Sequence, residues 1–283
     1  MYSAKFISDT SKIFAFGVDG GNIFDIEGLS GLSVELGKSQ SSGQLGESVI
    51  NQSITGKNIN ITGKIFSDNL NLVKNNLVNT ILPMSRGQLI INNKYYIYVV
   101  VNTAPEVSPT KDKGLFAVSF FAPYPFFRSI NQVDKYIGGI TPKFSFPINY
   151  EEPHMFGDKS EAVYALINNS GNIKVPYKIT ITSLAPVNDV TITNLKTFQF
   201  MRVLGQIDED DTVQIYRDEN NILKAELTTE GVTTDILSRI DEDSNLFYLN
   251  VGDNIIQASD DEGGQSLTAR IEFSPAWSAI YES

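Results

Sequence analysis

A single amphipathic helix set among strands constrains this chain more than any other feature. Leu70, Val73, Leu77 and Ile81 recur at i, i+3, i+7 and i+11 and form one apolar stripe, while Lys74, Asn75, Asn76 and Asn79 face away. Ser67 is placed to cap such a helix, Asp68 to stand at the positive end of its dipole, and Pro83 to stop it. Together they predict a helix over about residues 68–82. Residues 60–66 ahead of it read as extended. Residues 88–91 and 95–101 behind it read as two strands, joined through Asn92 and Asn93, which tolerate the left-handed angles of a tight turn. One helix cannot bury its stripe alone, so it has to lie on a sheet.

The remainder is read as strands and loops. Residues 12–16, 23–26 and 32–36 are short extended runs separated by glycines. Residues 37–47, rich in Gly, Ser and Gln, have almost nothing to bury. They read either as a mobile surface loop or as a protruding arm that orders against a neighbouring subunit. On the second reading Ser41, Gly43, Gln44, Leu45 and Glu47 are the candidate oligomer-interface residues. Residues 102–114 read as another polar loop and 115–121 as a buried strand, which Pro123 and Pro125 then halt. A polar, glycine-containing stretch places a domain boundary near 135, giving domains 1–135 and 136–283. The second half has no good helix. Its β-branched runs at 177–182, 190–193, 212–216, 222–227, 247–249 and 266–273 have the spacing of an all-β sandwich or jelly roll, with one helical turn possible at 236–240.

Charge divides at the same place. Residues 1–135 carry 12 Lys+Arg against 10 Asp+Glu (+2), and residues 136–283 carry 10 against 23 (−13), summing to the net −11. The first half is too weakly basic for a DNA-binding domain, and the second repels nucleic acid. The chain has no cysteine, which excludes disulfides, thiolate catalysis and cysteine-ligated metals. Its longest apolar run, 95–101, is far short of a bilayer span, and no apolar signal region follows Met1. His154 is the only histidine, so neither a triad nor a histidine-based zinc site has a second member. Residues 17–21 lack the Walker lysine and a following helix. The acidic runs 208–211, 241–243 and 260–262 lack calcium-loop spacing and read as solvated turns. Trp277, the one tryptophan, reads as a core or interdomain plug rather than a sugar-stacking platform. No catalytic residue, cofactor or metal is assigned, and the chain is expected not to be an enzyme.

One segment is more specific. Ser244-Asn245-Leu246-Phe247-Tyr248-Leu249-Asn250-Val251-Gly252-Asp253-Asn254-Ile255-Ile256 resembles a strand–turn–strand segment of the distal tail proteins (Dit family) of long-tailed phages. In it Phe247 and Leu249 point inward, Gly252 permits the turn and Asn254 leads the next strand. Residues 146–148, 167–171, 185–194 and 271–277 follow in the family's order, and 120–127 is similar to the aromatic–proline segment with which that family leaves its ring domain. The resemblance implies a mainly β protein: an N-terminal tail-tube-like split β-barrel with one flanking helix and a C-terminal galectin-like β-sandwich. It implies a homohexameric ring, a tail-tip or baseplate hub of the virion assembled in the host cytoplasm. The ring would join the tube to the tail-tip hub protein and let DNA pass. Expected partners are other copies of the chain, the tail-tube protein, the tail-tip protein and receptor-binding proteins, without a membrane or sequence-specific nucleic acid. The rival readings are a carbohydrate-binding module for host cell-wall attachment and another ring protein on the tail-tube fold.

Overall fold

The computed structural model describes residues 3–65, 70–110, 113–138, 140–142, 157–159, 164–218, 221–261 and 266–281. The chain divides into two compact units, Met1–Asn131 with Ala276–Ser283, and Gln132–Pro275. It is mainly β. Among the described residues there is one α-helix and one 3-10 turn.

The first unit contains β1 (Ala4–Ser8), β2 (Ile13–Ala15), β3 (Gly21–Glu27), β4 (Val34–Ser39), β5 (Ser48–Ile54), β6 (Lys57–Ile65), α1 (Leu70–Thr80), β7 (Arg86–Ile91), β8 (Tyr95–Thr110), β9 (Lys113–Ala122) and β10 (Phe127–Ser129). The main sheet runs β2-β1-β7-β8-β9-β6-β3 and does not close, so β2 and β3 are its free edges. Val73, Leu77 and Ile81 are buried with Phe6, Phe14, Phe116 and Phe120, and the asparagines at 75, 76 and 79 face solvent. The helix stripe therefore lies on the sheet, α1 packing against β2 and β8. Ser67 and Asp68, the expected cap and first residue, lie outside the described residues. The β7–β8 turn has the two left-handed asparagines that the sequence suggests, Asn92 at φ 54° and Asn93 at φ 49°.

Two segments differ from the loops expected of them. Residues 102–110 continue β8 and pair with β9 out to Thr110↔Lys113. Bulges between Val101 and Glu106 take Pro105 out of the ladder, so its missing N–H costs no hydrogen bond there. Residues 37–47 are partly strand, because β4 reaches Ser39 and β5 begins at Ser48.

The second unit holds β11 (Val133–Gly138), β12 (Ile140–Pro142), β13 (Gly157–Lys159), β14 (Tyr164–Asn169), β15 (Lys178–Ser183), β16 (Val187–Asn194), β17 (Gln199–Ile207), β18 (Thr212–Arg217), β19 (Leu223–Thr229), β20 (Val232–Asp235), a 3-10 turn at Leu237–Arg239, β21 (Gly252–Ser259) and β22 (Leu267–Phe273). A six-stranded sheet runs β11-β22-β15-β18-β19-β20 and a four-stranded sheet β14-β21-β16-β17, while β12 and β13 pair separately. Strict alternation buries Ile179 and Ile181 in β15, Ala269 and Ile271 in β22, and Ile256 and Ala258 in β21, as half-buried sheets require. Residues 133–138, read as part of a polar linker, form an edge strand that buries only Ile137. The chain then returns to the first unit. A last strand, β23 (Ala276–Trp277), pairs with β10, setting Phe127 opposite Trp277.

Candidate assembly interface

The β4–β5 hairpin is the part of the first unit least used by its own fold. These strands pair with each other and with no other strand among the described residues, from Val34↔Ile54 to Ser39↔Ser48. A bulge sets Gly37 opposite Asn51 and Lys38 opposite Val49, leaving Ile50 as the extra residue. With a side-chain period of two, Val34, Leu36, Val49 and Ile54 share one face, and Glu35, Ser39, Asn51 and Ser53 share the other. Every residue of β5 is exposed, as is all of β4 except Gly37. Five apolar side chains (Val34, Leu36, Val49, Ile50, Ile54) thus stand in solvent on one ribbon, Ile50 at 71% exposure. Burying each would return about 1 kcal/mol, half the value for a wholly exposed side chain. An isolated two-stranded ribbon is marginal in water, so a face of this kind gains stability only against another surface.

The five residues singled out from sequence lie at the hairpin's tip. Gln44 organises the turn: its N–H donates to Ser41 O (3.0 Å), its Oε1 accepts from Ser41 N–H (3.0 Å), and its Nε2 donates to Ser48 Oγ (2.8 Å). Gly43 has φ 82°, which a side chain would strain. Glu47 pairs with Lys38 at 2.8 Å across the strands. Leu45 has no packing partner and is fully exposed. The tip therefore brings all five together, four of them shaping the turn and one presenting an apolar side chain. The apolar face behind the tip is not legible in the sequence, because its residues align only through the register and its bulge. The free edges of the main sheet are nearby in kind: β3 carries Phe24 at 60% exposure and β2 carries Ile13 at 49%. Unpaired strand edges with exposed apolar residues are templates for another chain.

In the second unit, the segment that carries the resemblance is built around buried asparagines. Phe247 and Leu249 are buried, and Gly252 turns with φ 79°. Asn254 is 1% exposed. Its amide donates to Asn250 O (2.8 Å) and Gly252 O (3.0 Å), and its Oδ1 accepts from Asn250 N–H (3.0 Å) and Asn194 Nδ2 (3.2 Å). Asn169 does the same for the facing turn, donating to Ile173 O (2.8 Å) and accepting from Gly171 N–H (3.0 Å). Each amide satisfies backbone groups that the turns would leave orphaned, which fixes the residue type.

The residues weighed for chemistry are occupied structurally. Asp211, buried, accepts from Asp208 N–H (3.1 Å) and Thr229 Oγ1 (2.6 Å). Asp241 accepts from Asp243 N–H (3.0 Å) and faces Arg202 at 3.6 Å. Trp277 packs edge-on to Tyr95, centroids 5.3 Å apart, against the first unit's core. His154 lies outside the described residues. Among the described residues no group of three His, Cys, Asp or Glu is arranged to hold a metal.

A model of the SPP1 Dit family, described as "Siphovirus-type tail component, C-terminal domain", matches residues 170–277 and so spans the asparagine-centred turns. Residues 170–277 are thus similar to the C-terminal domain of the Dit family. That family is one of siphovirus-type tail components. The fold agrees over nearly the whole length. A solved structure of the SPP1 Dit (gp 19.1) protein, described as a paradigm of the hub adsorption apparatus in phages infecting Gram-positive bacteria, superposes with a TM-score of 0.65. It is 12% identical and covers 96% of this chain and 99% of its own. A chain of the phage P2 baseplate in its activated conformation with Ca gives a TM-score of only 0.49 at 12% identity, covering 99% of this chain and 100% of that one. No curated protein matches the sequence.

Proposed function

We propose that this chain is a Dit-family structural protein of a phage tail tip or baseplate, one subunit of a closed homohexameric ring that joins the tail tube to the tail-tip protein and lets DNA pass through its lumen. In this reading the first unit forms the ring-building, tail-tube-like split barrel, and the second unit forms a galectin-like sandwich. The observation that carries it is the amphipathic β4–β5 ribbon, solvent-exposed on both faces, in a unit whose main sheet has two free edges. Head-to-tail contacts of one surface on another close under cyclic symmetry, and each arm would cover a neighbour's apolar edge. Ser41, Gly43, Gln44, Leu45 and Glu47 would then shape and present the arm's tip at the subunit interface. The near-neutral +2 of residues 1–135 suits a lumen that must release DNA rather than hold it. Further partners would be receptor-binding proteins, with assembly in the host cytoplasm and incorporation at the tail tip.

Light scattering on the purified chain, with negative-stain imaging of the same peak, tests this. Six copies of 31.3 kDa give a ring of about 188 kDa. A chain that stays monomeric alone and also in the presence of its tail-tip protein rules the ring out.

A further inference from the structure

One face of the first unit's main sheet is the core that holds the stripe of α1. The opposite face carries the alternate residues of every strand, and the register lets it be read strand by strand. An antiparallel sheet covered on one side should show polar side chains on the other. The half formed by β3 and β6 obeys, presenting Asp25, Glu27, Asn58, Asn60 and Thr62. Asn60 donates to Glu27 Oε2 at 3.1 Å and accepts from Ser119 Oγ at 2.7 Å, so this half binds itself together. The other half does not obey. It presents Ile13 from β2, Ile7 from β1, Ile90 from β7, Tyr98 and Val100 from β8, and Phe121 from β9. All six are partly or largely exposed. The two halves meet where Phe121 pairs with Asn58.

The apolar half is also cationic. Lys5 pairs with Ile90, Arg86 with Val100, and Arg128 with Tyr96. Arg128 lies over the Tyr98 ring at 5.6 Å and the Tyr124 ring at 5.0 Å. The strands β1, β2, β7 and β10 contain no carboxylate. The complement of this surface is an apolar one with a negative balance. The β4–β5 ribbon of a second copy meets both conditions. Its apolar side chains share one face, and its charges sum to −1, Glu35 and Glu47 against Lys38. Lys38, its only cation, is neutralised by Glu47 at 2.8 Å. The lengths agree as well. Strands of 6 and 7 residues are about 20 Å long, and the five strands from β2 to β9 span about 19 Å. A ribbon crossing them at near right angles, an ordinary way for two sheets to pack, reaches from Ile13 to Phe121.

We propose that the β4–β5 ribbon of one copy docks on this apolar half-face of the next, its Val34, Leu36 and Val49 against Ile7, Ile90 and Tyr98. The contact joins two different surfaces head to tail, so it repeats around a ring. It rests on the ring reading and adds the surface that receives the arm. The polar half, with its own hydrogen bonds, is the part of the sheet left to water.

The chain has no cysteine, so thiols introduced in pairs are the only ones present. The full chain carrying Leu36→Cys and Gln88→Cys is sized by light scattering under reducing conditions, with the tail-tip protein added if the chain alone is monomeric. It is then treated with a short bismaleimide, whose spacer absorbs small differences of register. The expected product on a denaturing gel is a ladder of linked chains up to the hexamer, because each copy is joined both forwards and backwards. Leu36→Cys with Thr62→Cys, on the polar half, should give at least about tenfold less product above the dimer, since only collision brings that pair together. A ring that yields no ladder through Gln88, or an equal ladder through Thr62, overturns the docking face and leaves the ring standing. A chain that forms no ring in either condition removes the ring reading and this proposal together.

Discussion

Two residues carry charge or polarity where the fold has little water to offer, with opposite consequences. Asn254 is a hub on which two turns and a neighbouring strand depend, so Asn254→Ala strands several buried backbone groups at once. It should cost the second unit about 3 kcal/mol, read as a lowered urea midpoint. A loss within experimental error would mean that water replaces the amide without penalty. Lys57 is the reverse case. It is buried, its Nζ has no hydrogen-bond partner, and it lies 4.4 Å from the centroid of the Phe127 ring. Burial lowers its pKa from 10.5 to about 8. Between those values the unfolded chain holds a proton that the folded chain has released, so stability rises as pH climbs from about 8 to 10.5. Below about 8 the folded state carries the full cost of the buried charge. Lys57→Met should therefore stabilise the first unit at pH 7 by about 1–2 kcal/mol, net of the lost cation–π contact, and the gain should fade towards pH 10.5. An equal gain at both pH values would refute the burial argument.

At the scale of elements, α1 serves stability, and the β4–β5 arm is the proposed joint of the ring. Leu77 is fully enclosed under the helix, and Leu77→Ala should cost about 2–5 kcal/mol in the first unit by calorimetry or denaturant unfolding. On the arm, Leu36→Asp or Ile50→Lys places charge on an already wet surface. Either should leave the unfolding midpoint of the monomer unchanged while abolishing the ring peak in light scattering. Removing residues 38–46 should act the same way, and full rings from that deletion would mean that the arm is not the joint. The two elements also differ in how far they are written in sequence. The helix stripe is legible because Val73 and Leu77 sit a turn apart in one segment. The arm's apolar face is not, because Val34 and Leu36 meet Val49 and Ile54 only across a bulge, and each strand alone looks like loop. Residues 133–138 escaped for a related reason: an edge strand that buries one side chain carries almost no alternation. The asparagines of the second unit were legible as a familiar pattern around Asn254. Its link to Asn194, 60 positions away, is purely tertiary.

For the whole molecule, the decisive feature is the return of the chain to its first unit. β23 pairs with β10, Trp277 packs on Tyr95, and Ile280 donates its N–H to Leu29 O at 3.0 Å. No local signal announces this, because the partners lie about 150 to 250 positions apart in sequence, while the composition break near 135 marks only where the chain leaves. Truncation after Pro275 should consequently weaken the unit furthest away in sequence. Amide exchange should speed up in β8 and β10 and stay unchanged in β15 and β22, and the reverse pattern would contradict the pairing.

The same closure sets an order of events during synthesis. The ribosome finishes all the strands of the second unit before it releases the two residues that seal the first. The first unit therefore waits, with Phe127 and Tyr95 uncovered, until translation has passed residue 277. A chain that stalls anywhere in the intervening stretch leaves that seam open.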